Sequence, residues 1–214
     1  MRRVLIPAIL AMTPATAATA QDFFVYGGAA LQFYIEPDGA GSDNATELSG
    51  YVEIEKAGFY AGIWAEIANE SVTTEVDLYL GYRGETAAGL GYDIGYTRYF
   101  YPDDGGDCCG ELTLGLSMGF GDALSGSFDL AYDPQAELAN AYLGVAYQFT
   151  DSLSASANYG FYETGSSTEQ EWDIGVGYAV GEESAIDVRF YDGTDYTDGY
   201  VGLELSWDTT LFSQ

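Results

Sequence analysis

Apolar side chains fall on every second position through much of this chain. Leu112, Leu114, Leu116 and Met118 form one such row, and Leu143, Val145, Tyr147 and Phe149 form another. Trp172, Ile174, Val176, Tyr178 and Val180 follow, then Val201, Leu203, Leu205 and Trp207. The residues between them are small or polar. A strand turns successive side chains to opposite faces, so each row predicts a strand with one apolar and one wet face. The segments run to about ten residues, which is the length a tilted strand needs to cross a bilayer.

The same rhythm predicts about twelve strands. They are Phe23–Ile35, Glu47–Glu55, Phe59–Ala68, Glu75–Arg83, Leu90–Tyr101, Glu111–Phe120, Leu124–Asp133, Ala141–Phe149, Leu153–Tyr162, Glu171–Val180, Ala185–Tyr191 and Tyr200–Trp207. Long connections (Glu36–Thr46, Pro102–Gly110, Pro134–Asn140, Glu163–Gln170, Asp192–Gly199) tend to alternate with tight ones (Lys56–Gly58, Gly121–Ala123, Thr150–Ser152, Gly181–Ser184). Long loops on one side and short turns on the other are the habit of an outer-membrane barrel, and an even strand count puts both termini on the periplasmic side. The expected fold class is therefore all-β: a transmembrane antiparallel up-and-down β-barrel. The competing fold is a soluble exported β-sandwich, which also buries one face of each strand.

The start of the chain fits export. Arg2 and Arg3 precede the short apolar run Val4–Met12, and Ala18-Thr19-Ala20 offers a small-x-small cleavage site. Residues 1–20 thus read as a signal peptide and 21–214 as the barrel. No other apolar run is long enough for a spanning helix.

Charge and composition narrow the function. Asp and Glu number 34 against 6 Lys plus Arg, a formal net charge of −28. Losing residues 1–20 removes two arginines and no acid, so the exported chain is more acidic still. Nucleic acid is excluded as a partner, because phosphate contacts need cations. The 19 Tyr and 11 Phe argue against acidic disorder. Histidine is absent, which removes the commonest general base and metal ligand. Barrel enzymes that need a Ser-His pair, such as outer-membrane phospholipase or lipid A deacylase, do not fit. Glu53 and Glu55 share a face as a catalytic carboxylate pair would, but so many acids produce such pairs by default. Neither catalysis nor a cofactor is expected.

Sorting the strands by parity separates two faces. Outward candidates include Val52, Ile54, Ile63, Leu78, Leu80, Tyr92, Ile94, Tyr96, Leu130, Ile186 and Val188. The charged residues Glu53, Glu55, Glu66, Asp77, Arg83, Asp93, Asp129, Asp173, Asp187, Arg189 and Glu204 fall on the other parity and are the pore-lining candidates. Carboxylates lining a narrow tube enrich cations, and Arg83 and Arg189 are expected to face those acids across the lumen. The same charges also suit a solvated wall that satisfies itself. Tyr51, Tyr60, Trp64, Tyr79, Tyr99, Tyr142, Tyr162, Tyr191 and Tyr200 share the inward parity and would narrow the bore or stack on a solute. Arg98 breaks parity near a strand end, from which it can snorkel to the headgroups.

The ordered series Gly50-Tyr51-Val52-Glu53, Gly58-Phe59-Tyr60-Ala61-Gly62-Ile63-Trp64-Ala65, Glu75-Val76-Asp77-Leu78-Tyr79 and Gly81-Tyr82-Arg83-Gly84 resembles the TorF-type porin family. Tyr92-Asp93-Ile94-Gly95-Tyr96, Tyr99 and Tyr101-Pro102 continue the likeness. The resemblance implies an outer-membrane porin passing small hydrophilic solutes, with outer-membrane lipid, lipopolysaccharide and the barrel-insertion machinery as partners. It departs from the family at Tyr26-Gly27-Gly28-Ala29, which lacks the Tyr-x-x-Arg-Gly element common in first strands there. The alternative function is a non-conducting barrel acting as envelope scaffold or surface-contact protein.

The remaining motifs lie in connections. Cys108 and Cys109 are adjacent in the long loop Tyr101–Gly110, where an exported protein would oxidise them. Neighbouring Cα atoms are only ~3.8 Å apart, below the usual disulfide range, so a bridge there would be strained and reducible, or the thiols idle. Two cysteines without histidine make a zinc site unlikely on ligand count. Asp192, Asp195 and Asp198 recur every third residue without a calcium-loop glycine. Asn44-Ala45-Thr46 and Asn69-Glu70-Ser71 match short glycosylation sequons.

Overall fold

A computed structural model describes residues 22–35, 45–69, 73–194 and 199–214. Residues 1–20, where a signal peptide is expected, Asn44 and Glu70-Ser71 of the two sequons, and Asp195 and Asp198 lie outside the described residues. Twelve strands follow in chain order: β1 Phe23–Ile35, β2 Ala45–Lys56, β3 Phe59–Ala68, β4 Thr73–Glu85, β5 Leu90–Tyr101, β6 Gly106–Gly119, β7 Leu124–Asp133, β8 Leu138–Gln148, β9 Leu153–Glu163, β10 Thr168–Ala179, β11 Ser184–Gly193 and β12 Tyr200–Ser213. Each pairs antiparallel with its sequence neighbours, and β1 pairs with β12, so the sheet closes into a barrel. Phe23 and Gln214 exchange backbone hydrogen bonds of 2.9 and 3.0 Å at the seam. Closure leaves no edge strand, which is the condition for a sheet to lie in lipid.

The side chains are arranged inside out compared with a soluble protein. Among the described residues only Tyr34, Ala45 and Tyr200 are buried apolar groups, whereas Glu47, Glu53, Asp77 and Asp133 are buried acids. Leu80, Ile94, Leu143, Ile174 and Val176 are exposed by half or more. A sandwich would bury those rows between two sheets; here they coat the outside of a closed tube. Exposed aromatics gather toward both ends of this coat. Phe59, Tyr82, Tyr147 and Phe149 stand near the tight turns, and Tyr159, Phe161 and Trp172 near the opposite end. Several pack in pairs, such as Phe59 with Tyr82 at 4.7 Å and Trp172 with Phe190 at 5.6 Å. Interfacial aromatic girdles have this placement.

Three expectations are corrected. Strands β6, β8 and β10 begin three to five residues earlier than the alternation indicates, so they absorb much of the expected long loops. Cys108 and Cys109 therefore sit in β6 rather than in a loop, beside a register shift opposite Tyr99 and Phe100; they are joined as a disulfide. That shift also brings Asp107 to the outward Arg98, which binds it through two hydrogen bonds of 2.6 and 2.7 Å. Arg98 is thus neutralised by a neighbouring strand instead of standing alone among headgroups.

Two outcomes test this architecture. Leu80→Arg, on the exposed apolar row, should destabilise the lipid-embedded barrel by roughly 2–4 kcal/mol, measured by denaturant unfolding in bilayers; an unchanged midpoint would argue that the row does not touch lipid. The untreated protein should resist alkylation at Cys108 and Cys109 until reduced, as read by mass spectrometry.

The barrel interior as candidate functional site

Parity and register place the functional side chains. Because i and i+2 share a face, one inward residue on a strand fixes the rest, and the cross-strand pairs carry that assignment around the ring. All of Glu53, Glu55, Glu66, Asp77, Arg83, Asp93, Asp129, Asp173, Asp187, Arg189 and Glu204 lie on the inner face by this rule. The inward parity also holds Glu47, Glu75, Glu111, Asp133, Glu171 and Asp208, which the sequence reading did not single out. Glu75 and Glu171 precede Asp77 and Asp173 by two, so the signal was present; Glu47, Glu75, Glu111, Asp133 and Glu171 are each the terminal residue of a strand that the alternation predicts, and Asp208 lies one residue beyond one.

Near the tight turns, Arg83 on β4 gathers acids from its own wall. Its Nη2 donates to Glu53 Oε1 at 2.7 Å, and its Nε lies 3.6 Å from Glu55 Oε2 and 3.8 Å from Asp93 Oδ2. Its guanidinium carbon sits 4.0 Å from the centre of the Tyr60 ring, and the Tyr60 hydroxyl donates to Asp93. One cation thus ties β2, β4 and β5 across an aromatic bed supplied by β3. Further round the ring, Arg189 on β11 does the same for β9 and β10. It binds Asp173 through Nη1, Asp187 through Nε at 3.1 Å and the Ser156 hydroxyl through Nη2 at 2.6 Å. Asn158 donates to both oxygens of Asp173 at 3.0 and 3.1 Å. The arginines therefore do not reach across the lumen as expected; each pairs with carboxylates in its own sector of the wall, Arg83 with those of β2 and β5 and Arg189 with those of β10 and β11.

Tyrosine hydroxyls hold a second set of acids. Tyr51 donates to Asp208 at 2.9 Å, Tyr99 to Glu111 at 2.8 Å and Tyr142 to Glu171 at 2.6 Å. Gln32 donates to Glu204 at 2.5 Å and accepts from Tyr34 at 2.6 Å. The rings do not simply project into the bore. Inward glycines on neighbouring strands make room for them: a Cβ at Gly81 would overlap Tyr60, one at Gly62 would overlap Tyr79, and one at Gly160 would overlap Tyr142. The rings thus lie along the wall. The exception is one side of the interior where Tyr34, Tyr191 and Tyr200 pack on each other, with Tyr191 and Tyr200 stacked at 4.8 Å.

The arrangement can attract, orient and screen cations in an enclosed acidic tube. Among the described residues no three Asp, Glu or Cys side chains converge to hold a metal ion. Glu53 and Glu55 are committed to Arg83 and do not form a free carboxylate pair.

Comparison with known proteins gives the fold a context. The KdgM porin superposes with a TM-score of 0.65 at 10% identity, over 84% of this chain and 98% of that one. The NanC porin gives 0.62 at 11% identity, over 86% and 100%. Outer membrane phospholipase A from Escherichia coli gives 0.55 at 13% identity, over 86% and 93%. At these identities the likeness is one of fold. No curated protein sequence matches significantly. A family model described as a bacterial protein of unknown function, Gcw_chp, matches residues 47–213, from β2 to the end of β12. The chain belongs to the Gcw_chp family.

Proposed function

We propose that this protein is an outer-membrane channel that lets small hydrophilic solutes diffuse passively and favours cations. The observation that carries the reading is the inverted burial: aliphatic rows outside, carboxylates inside. An apolar belt with aromatic ends suits insertion into lipid, and residues 1–20 suit export. The fold is shared with porins, and the resemblance of residues 50–102 to the TorF-type porins points the same way. The acidic wall favours cations because enclosed carboxylates focus a negative potential. Glu53, Glu55, Glu66, Asp77, Asp93, Asp129, Asp173, Asp187 and Glu204 set that preference, tempered by Arg83 and Arg189. The KdgM porin has also been solved in complex with oligogalacturonate. That polymer is anionic, and the wall described above would repel it, so the shared fold does not carry that solute over.

The packed tyrosines Tyr34, Tyr191 and Tyr200 favour a second reading, in which the interior is narrowed to a non-conducting scaffold. Planar-bilayer recordings separate the two. Stable conductance steps are expected, with a reversal potential in a KCl gradient displaced toward the potassium equilibrium value; a folded, silent barrel or an anion preference would rule the channel reading out. Arg83→Gln should move the reversal potential further toward potassium. It should also lower stability by roughly 1–3 kcal/mol, less than for a fully enclosed pair because a third of the Arg83 side chain is exposed.

A further inference from the structure

The first turn of β6 departs from the regular ladder at one residue. On one side of it Arg98 stands opposite Gly110 and Tyr99 opposite Cys109; on the other Phe100 stands opposite Asp107 and Tyr101 opposite Gly106. Cys108 is the extra residue, which makes a β-bulge. Because side chains alternate, one extra residue reverses the facing of everything beyond it. Without the bulge Phe100 would stand opposite Cys108 and Tyr101 opposite Asp107. Asp107 would then turn to the inner face that Tyr101 shares with Tyr99. The bulge is thus what turns Asp107 outward to the Arg98 guanidinium, which binds it at 2.6 and 2.7 Å.

The disulfide and the bulge go together. Successive side chains of a regular strand point to opposite faces, and Cβ atoms that diverge in this way cannot be bridged. Cys108 and Cys109 are bonded, so the two cannot both sit in a regular ladder; a bulge sets two residues against one and lets both sulfurs lie together. The connection has slack for either register. Gly105 and Gly106 have φ of 102° and 88°, and a Cβ on either would meet nothing within 4 Å. Besides the disulfide, the pair of Arg98 with Asp107 holds the bulge. The Asp107 side chain is 57% exposed, and exposed ion pairs contribute little. Cys108 is exposed and Cys109 half-buried, so one sulfur of the bond is accessible.

We propose that the Cys108–Cys109 disulfide is a redox lock on the register of β6. The thiolate of a dithiol reductant attacks Sγ of Cys108, forming a mixed disulfide and releasing Cys109 as a thiolate that takes up a proton. The reductant's second thiol then closes on its own first sulfur and displaces Cys108, which is protonated in turn. The dithiol leaves as a disulfide, and both cysteines end as thiols. With the bond gone, Cys108 enters the ladder opposite Phe100 and gains the pairing that a bulged residue forgoes. Asp107 leaves Arg98 for the inner face opposite Tyr101. Reduction thus moves one carboxylate from the outside of the wall to its inside and uncovers one guanidinium outside. The inference goes beyond the channel reading and does not rest on it.

Nuclear magnetic resonance of the barrel folded in detergent, with and without dithiothreitol, tests it. Cross-strand backbone contacts should link Phe100 to Asp107 in the oxidised protein. After reduction they should link Phe100 to Cys108 and Tyr101 to Asp107, while the contact of Tyr96 with Leu112 stays in place. A Cys108→Ser, Cys109→Ser variant should show the second pattern whether or not dithiothreitol is present; if that variant fails to fold, the reduced wild-type protein still gives the comparison. Oxidised Arg98→Gln should keep the first pattern, because the disulfide alone suffices to hold the bulge. Three results would overturn the proposal: a Phe100–Asp107 contact that persists once mass spectrometry shows both thiols free, a folded serine variant that keeps the bulge, or loss of the bulge in oxidised Arg98→Gln. The last would mean that the ion pair, not the disulfide, sets the register.

Discussion

The structure depends on closing the backbone hydrogen-bond ladder on itself. A strand in hydrocarbon cannot leave its N–H and C=O groups unpaired, and the pairing of β1 with β12 removes the edges that an open sheet would expose. Once the ring is closed, the two faces of every strand have different surroundings, and the period of two in the sequence becomes a radial sorting. Leu80 and Ile94 go outward, and Asp77 and Asp93 inward. The exposed aliphatic rows and the buried acids are one consequence seen from two sides.

Enclosing so much like charge creates a problem that the wall meets in two ways. Where arginine is available, one guanidinium gathers acids from several strands, as Arg83 and Arg189 do. Where it is not, tyrosine hydroxyls donate to single carboxylates, and glycines opposite give the rings a place to lie.

Much of this was legible from residues. All twelve strands are visible in the alternation, and Phe23–Ile35, Phe59–Ala68, Leu90–Tyr101 and Leu124–Asp133 have the bounds that the pattern indicates. The inward parity of Asp77, Arg83 and Arg189 follows from the same rhythm. Strand ends were less legible, because near the rim both faces become polar and the alternation fades; β6 and β10 therefore looked too short, and Glu75, Glu111 and Glu171 were passed over. Partners were illegible for a different reason. Which acids Arg83 reaches depends on the lateral register among β2, β4 and β5, and no single strand encodes that. The bulge in β6 that brings Asp107 to Arg98 falls at Cys108, in Gly106-Asp107-Cys108-Cys109, which reads as part of an ordinary loop.

The radial sorting can be measured directly along β10. In a variant lacking Cys108 and Cys109, single cysteines at positions 173 to 177 would carry spin labels in a lipid bilayer. Collision with oxygen, which concentrates in acyl chains, should peak at 174 and 176, and collision with a water-soluble nickel chelate at 173, 175 and 177. Equal accessibility along the strand, or oxygen maxima at the positions now held by Asp173 and Gly175, would contradict a wall with lipid on one side and carboxylates enclosed on the other.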